Sequence, residues 1–275
     1  MKIATLQSLR YLIEKALIII DDTTDIEVDI SQWICHSFLT KNVLTAISIE
    51  RILNPNETSF GSNAVEPIKI YDPMSSLTLV RNLFESYVNM YYLLIDNETD
   101  EEKEFKLLLW ERFWRSERQK MSELYGIKNV KTDNELIEIE RIEKTIYNSN
   151  YYSTLKPKLK EHYKDRKNWT KYNLTDRAER TNIESERVKF MYKFLSQYAH
   201  SSSFAMMQFG SANEKGDIEE QLSSVACNYT AALLALTIEL SSRFYNKTLD
   251  IIEQDEKLRT QIGVLIIYFT KPRKL

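Results

Sequence analysis

The sequence predicts an all-α protein that forms a multi-helix bundle, and three observations support this fold class. Glycine and proline occur only five times each in 275 residues, whereas sheet proteins need turn residues often. Apolar side chains recur every three or four residues over long stretches, which is the period of an amphipathic helix. The composition, 43% hydrophobic and 28% charged, is that of an ordinary globular protein.

The elements follow from this periodicity in chain order. Two N-terminal helices are predicted, at 2–20 and 28–53, before a long loop at 54–73 that contains three of the five prolines. Further helices are predicted at 74–95, 99–125, 132–147, 183–199, 217–245 and 247–269. A second long loop covers 148–181, where no apolar stripe is sustained. We therefore expect a single helical domain over 1–275, with helices 1–53 packed on a core at 70–245.

The charge and the cysteines limit the class of protein. A net charge of -3 argues against a general nucleic-acid coat. Cys35 and Cys227 lie inside apolar helical patterns, which is typical of buried, reduced thiols. The first residues lack the pattern of a signal peptide, and polar residues interrupt the apolar run 225–240. We expect a cytoplasmic protein without a membrane span.

No metal or cofactor is expected. The residues three positions before the histidines are Trp33, Leu159 and Gln197, so the Glu-x-x-His pattern of di-iron bundles is absent. The sequence also contains no Cys-x-x-Cys pair, no Walker A loop and no glycine-rich dinucleotide motif.

Two rows of polar side chains interrupt otherwise apolar helices. Tyr192, Ser196 and His200 follow one another at four-residue spacing, and Arg81 and Glu85 repeat that spacing in an earlier helix. Because unpaired polar groups are costly to bury, we expect the two rows to face each other across one interhelical groove.

Each row has a catalytic and a structural interpretation. In a catalytic site, His200 would act as general acid or base with Ser196 or Tyr192 in support, and Arg81 would hold an anion near Glu85. In a structural network, Ser196 bonds to its own helix, His200 caps the helix end, and the arginine and glutamate form a buried ion pair. Whether the protein is an enzyme stays open at this point.

A basic stretch within the second loop offers a candidate RNA-binding surface. Positive charges there alternate with aromatic rings, and the candidate residues are Lys158, Lys160, Lys164, Lys167 and Trp169. Charge for phosphates and rings for bases are the components of a single-strand surface. The alternative is a solvated basic loop that balances acidic segments elsewhere.

The pattern R-x-x-x-E, then W, then Y-x-x-x-S-x-x-x-H resembles a family of bacterial helical proteins catalogued as a domain of unknown function. Arg81, Glu85, Tyr192, Ser196 and His200 are the matching positions, and the resemblance covers about 70–245. It implies an all-α fold and an unassigned molecular role, which is suspected to lie in bacterial defence or stress.

The chain is also distantly similar to the HEPN class of helical ribonucleases, which place an arginine a few residues before a histidine and complete the site across a dimer. Here the nearest arginine upstream of His200 is Arg187, and Arg81 would have to substitute from another helix. We therefore predict a binding role, with RNA, protein or a second copy of the chain as partner. The alternative is a metal-independent ribonuclease or phosphodiesterase that uses His200 and Arg81.

Overall fold

The computed structural model confirms the all-α fold class. It describes residues 4–24, 26, 28–54, 57–58, 68–69, 72–126, 130–200, 202–208 and 217–270. In chain order the helices are α1 (Leu6–Thr23), α2 (Ile30–Leu53), α3 (Pro73–Leu94), α4 (Asp100–Leu124), α5 (Val130–Asn148), α6 (Asn150–Thr154), α7 (Pro157–His162), α8 (Leu174–Glu179), α9 (Ser185–Ala199), α10 (203–208), α11 (Asp217–Ser241), α12 (Asn246–Gln254) and α13 (Glu256–Phe269).

Side-chain caps fix where the long helices begin. The Thr5 hydroxyl accepts from the backbone N–H of Ser8, and the Ser8 hydroxyl accepts from that of Thr5, which closes a capping box at α1. Asp29 and Gln32 form the same box at α2. Thr99 caps α4, whose first turn carries three acidic residues. These caps satisfy backbone donors that the first helical turn leaves unpaired.

The prediction of one helix over 247–269 is wrong in one respect, because the structure breaks it into α12 and α13. Asp255 lies between them in an extended backbone conformation, and its carboxylate accepts from the N–H of Leu258. An aspartate is a favoured N-cap, so the local bond competes with helix continuation. The final residues of that segment are helical up to Phe269.

The two long loops have different outcomes. Most of 54–73 lies outside the described residues, and its described part includes two short antiparallel strands, β1 (Glu57–Thr58) and β2 (Ile68–Lys69). The interval 148–181 contains the short helices α6, α7 and α8. Helices of five or six residues are too short to show an apolar period, which is why the sequence suggested only a loop there.

The chain divides into two compact units. Unit 1 comprises Met1–Tyr91 and Ala178–Leu275, and unit 2 comprises Tyr92–Arg177. The boundary therefore falls within α3 and within α8. The expectation of a single domain stays a prediction.

Unit 1 is built around α11, which packs against α1, α2 and α13. Its central residues are small or aliphatic and fully buried, including Ala231, Leu233 and Leu236. By length and composition, residues Ile218–Ser241 would also suffice to cross a membrane, but 67% of the most apolar window is buried inside the protein. The core helix of a folded domain meets the same criteria.

Unit 2 has its own apolar core between α4 and α5. Its buried members are Phe105, Leu109, Ile142, Ile146 and Tyr163. Arg112 of α4 is also fully buried, and it donates to the backbone carbonyl of Asp165 and lies 3.8 Å from the carboxylate of Glu143. Desolvation lowers the pKa of Arg112. We interpret this arginine as structural because its partners are all local to the unit.

Candidate functional site

Arg81 is the centre of the polar cluster that the sequence suggests. It lies midway along α3 between the buried residues Val80 and Leu83, and it is itself only 9% exposed. Its Nε donates a 2.6 Å hydrogen bond to Oε1 of Glu85, one helical turn further on. The four-residue spacing places the two side chains on the same face of the helix.

The same guanidinium reaches α9. Nη1 of Arg81 donates to the Ser196 hydroxyl and, over 3.1 Å, to the backbone carbonyl of Tyr192. The central carbon of the guanidinium lies 4.2 Å from the centre of the Tyr192 ring. The Ser196 hydroxyl donates in turn to the Tyr192 carbonyl. A planar, permanently charged fork suits this combination of stacking and paired donation.

Glu85 lies on the solvent-exposed side of the cluster. Its side chain is 42% exposed, whereas that of Arg81 is 11% exposed. Lys41 of α2 lies close enough to interact electrostatically with Glu85. Desolvation lowers the pKa of Lys41, and the Glu85 carboxylate opposes that shift. Lys41 belongs to neither of the two polar rows that the sequence shows. Its one distinguishing feature in the sequence is that it is the first charged residue of α2.

Asn89 continues the row of Arg81 and Glu85 by one further turn. Its Oδ1 is buried, and it has no hydrogen-bond partner in the described part of the chain. A buried acceptor without a partner is costly, so this end of the row is less well satisfied than the Arg81 end.

His200 lies at the end of α9, apart from the contacts that Arg81 makes. Its backbone N–H donates to the Ser196 carbonyl over 3.2 Å, and the residue is exposed. Among the described residues its imidazole forms no hydrogen bond with Arg81 or Glu85. The structure thus brings together four of the five predicted residues, Arg81, Glu85, Tyr192 and Ser196. Their catalytic role stays a prediction.

Most of the lysines proposed to bind RNA form ion pairs or hydrogen bonds with other residues of unit 2. Lys164 pairs with Glu161 at 2.6 Å and Lys167 with Asp165 at 3.1 Å. The ammonium of Lys160 donates to the Ser153 carbonyl, and Lys158 is exposed. Exposed pairs of this kind are weak, so these cations can still reach a phosphate.

Trp169 lies against other side chains of unit 2. Its ring meets that of Tyr92 edge-on at 5.8 Å, and the guanidinium of Arg177 covers it at 4.7 Å. It also packs beside the apolar core of the unit. A base could stack on this ring only where these neighbours leave it open, so the geometry favours a packing role.

The described residues contain no group of three or more histidine, cysteine, aspartate or glutamate side chains that could hold a metal ion. Arg81 contacts a carboxylate and a hydroxyl group, and Arg112 lies near the Glu143 carboxylate and the Tyr147 hydroxyl. Such sets can bind anions or hold helices together, but they do not favour a transition metal.

Comparison with known proteins identifies the family. No curated protein and no solved structure matches the chain. The model of a family of unknown function, DUF5677, matches residues 32–217, which include Arg81, Glu85, Trp169, Tyr192, Ser196 and His200. The match assigns no activity, and the similarity to HEPN ribonucleases stays a prediction. The chain therefore belongs to the DUF5677 family of unknown function.

Proposed function

We propose that the protein acts by binding another macromolecule, and that the Arg81 cluster fastens α9 to α3 rather than catalysing a reaction. The observation that supports this proposal is that Nε, Nη1 and one flat face of the Arg81 guanidinium already have partners within the protein. Nε is directed at Glu85, Nη1 at Ser196 and the Tyr192 carbonyl, and the flat face at the Tyr192 ring. An arginine that stabilises a transition state instead needs donors aimed at the place where charge develops.

Fastening α9 has a direct consequence for binding. One side of this helix is buried and includes Val188, Met191 and Leu195. A second side contacts Arg81 through Tyr192 and Ser196. The remaining side is exposed and includes Phe190 and Lys193. A helix held on two sides presents its third side rigidly, which reduces the entropy lost when a partner binds.

The partner in this proposal is another protein or RNA. We also infer a reducing, cytoplasmic compartment. Cys35 and Cys227 support this inference because both are buried and unbridged, and burial raises the pKa of the Cys35 thiol to about 12. A thiol kept protonated in this way is unreactive.

A metal-independent ribonuclease or phosphodiesterase is the second candidate, and the position of His200 favours it. The imidazole is exposed one helical turn beyond Ser196, roughly 6 Å further along the axis of α9. A phosphodiester placed between His200 and Arg81 would meet an acid or base at one end and a cation at the other.

Two substitutions distinguish the candidates. We expect Arg81→Ala to lower the free energy of unfolding in urea, and His200→Ala to leave it unchanged. We expect neither to alter cleavage of a labelled single-stranded RNA in EDTA beyond the background of a matched variant. Arg10→Ala is that control, because Arg10 also donates from Nε to a glutamate, Glu50, but from an exposed position. Loss of RNA cleavage in His200→Ala at unchanged stability would refute the binding proposal and establish the enzyme.

A further inference from the structure

The exposed side of α9 carries a self-complementary pattern of charge. Glu186, Phe190, Lys193 and Gln197 follow at spacings of four, three and four residues. This is the spacing that keeps side chains on one stripe of a helix facing a partner helix. We call these four residues the α9 stripe.

The α9 stripe is accessible. The side chain of Glu186 is 80% exposed and Phe190 is 51% exposed. Lys193 is exposed as well, and its ammonium forms no ion pair within the described residues. Glu186 has one local partner, Lys189 at 3.1 Å, on the flank of the stripe. An exposed pair of this type contributes little and leaves the carboxylate available.

Phe190 is held in place rather than free to fold back. Its ring stacks on that of Phe194 at 5.2 Å with an interplanar angle of 10°. It also lies 6.5 Å from the Tyr229 ring of α11. A half-exposed aromatic ring fixed by two neighbours is a suitable anchor for an interface, because little side-chain entropy remains to be lost.

The order of charges along the α9 stripe indicates which partner it fits. The acid lies before Phe190 and the base after it, so a second α9 running in the opposite direction presents its base to the acid of the first. A two-fold axis beside Phe190 makes both contacts at once, since an isologous interface repeats each contact. We propose that the α9 stripe binds the α9 stripe of a second copy of this chain in an antiparallel pair. This inference rests on the proposed binding role and names its partner.

The area involved predicts a weak dimer. A helix of 15 residues is about 22 Å long, and one of its faces buries less than the roughly 800 Å² per partner of a stable complex. Exposed apolar side chains continue beyond α9 at Phe204, Met206 and Met207 of α10. We therefore expect a dimer at a protein concentration of about 200 µM that dissociates on dilution.

Charge reversal tests the pairing by sedimentation equilibrium of the full chain. Glu186→Lys alone places lysine opposite Lys193 at both contacts, and Lys193→Glu alone places glutamate opposite glutamate. Each variant should raise the dissociation constant of the dimer about tenfold, because each change acts at both contacts. A 1:1 mixture of the two variants restores an opposite-charge pair at both contacts. Its dissociation constant should therefore lie within about threefold of the wild-type value.

Matched controls lie on α4. Glu117 and Lys120 form an exposed pair at 2.7 Å with the same three-residue spacing as Glu186 and Lys189. Glu117→Lys and Lys120→Glu should leave association unchanged. A second control is the unfolding free energy of every variant, which should match the wild type because both stripe charges are exposed.

Three results would overturn the inference: a monomer at all concentrations, a dimer that ignores both reversals, or a mixture that remains monomeric. Binding of a single-stranded RNA oligonucleotide by a monomeric wild type, with loss in Lys193→Glu, would assign the stripe to RNA instead. None of these results depends on Arg81 substitutions, so failure of the dimer is distinguishable from failure of the fastening role.

Discussion

The guanidinium of Arg81 contacts Tyr192 twice, 4.2 Å above the ring and through a 3.1 Å hydrogen bond to the backbone carbonyl. The ring contact depends on the tyrosine side chain, whereas the carbonyl contact depends only on the path of α9. Together they fix both the position and the rotation of α9 relative to α3. This double contact is the main support for a structural role of Arg81 in unit 1.

Arg81 and Ser196 should behave as one energetic unit. We expect Arg81→Ala to lower the free energy of unfolding by about 2–3 kcal/mol, because it removes the partner of several polar groups and the stacking on Tyr192. Ser196→Ala should cost about 1 kcal/mol. The cost of the double variant should fall short of the sum of the two single costs by about 0.5–1 kcal/mol, as expected for residues in direct contact. Urea unfolding of the four proteins measures this coupling.

Arg10 provides the reference for that cycle. Its Nε lies 2.5 Å from Oε1 of Glu50, the same atom pair as in Arg81 and Glu85, but its side chain is 47% exposed. Arg10→Ala should lower the free energy of unfolding by less than about 1 kcal/mol. The effect of combining it with Ser196→Ala should equal the sum of the two single effects to within about 0.5 kcal/mol. Equal costs for Arg10→Ala and Arg81→Ala would contradict the view that burial makes the Arg81 cluster important.

Trp169 should be required for the stability of unit 2 more than for RNA binding. Its ring packs on Tyr92, on Phe113 and under Arg177, so Trp169→Ala should lower the unfolding free energy by about 2–4 kcal/mol. Trp169→Phe should lower the unfolding free energy by less, because an aromatic ring remains for the Arg177 guanidinium to contact. Circular dichroism during urea unfolding gives both values.

Lys158→Ala is the comparison within the same segment. The residue is exposed, so its removal should change stability by no more than about 0.5 kcal/mol. If RNA binds this segment, Lys158→Ala should reduce the salt dependence of affinity. The packing interpretation fails if Trp169→Ala keeps full stability but loses RNA affinity.

The sequence predicts the long helices well because each contains several turns of apolar repeat. The bounds of α2 and α3 differ from prediction by at most a few residues. The break between α12 and α13 is confined to one residue, Asp255, whose carboxylate accepts from the N–H of Leu258. Periodicity averages over a dozen residues, so a one-residue interruption is easily missed.

The site was predictable in part for a related reason. Four-residue spacing places Arg81 with Glu85 and Tyr192 with Ser196, and their polarity in apolar helices indicates that they need partners. Spacing on one helix does not indicate which turn of another helix it meets. His200 shares the spacing of Ser196 yet lies at the exposed end of α9. Lys41 of α2 interacts electrostatically with Glu85, and no pattern in the sequence predicts that interaction.

Asp255 should make the stability of unit 1 sensitive to acid. Its carboxylate accepts from the Tyr11 hydroxyl at 2.6 Å, pairs with the Lys15 ammonium at 2.6 Å and accepts from the N–H of Leu258. These three contacts, with Lys15 the strongest, hold the pKa of Asp255 well below its usual range. A native pKa below the unfolded value of about 3.9 means that the ionised carboxylate stabilises the native state above that pH.

We therefore compare the wild type with Asp255→Asn, which keeps a helix cap but removes the charge. The wild type should be more stable by about 1 kcal/mol between pH 5 and 7. The difference should shrink as the pH falls below about 4, because the native carboxylate then takes up the proton that the unfolded chain already holds. Tyr11→Phe should move that loss to higher pH, since it removes one donor to the carboxylate. A difference that stays constant down to pH 2 would show that the amide cap, not the charge, accounts for the contribution of Asp255.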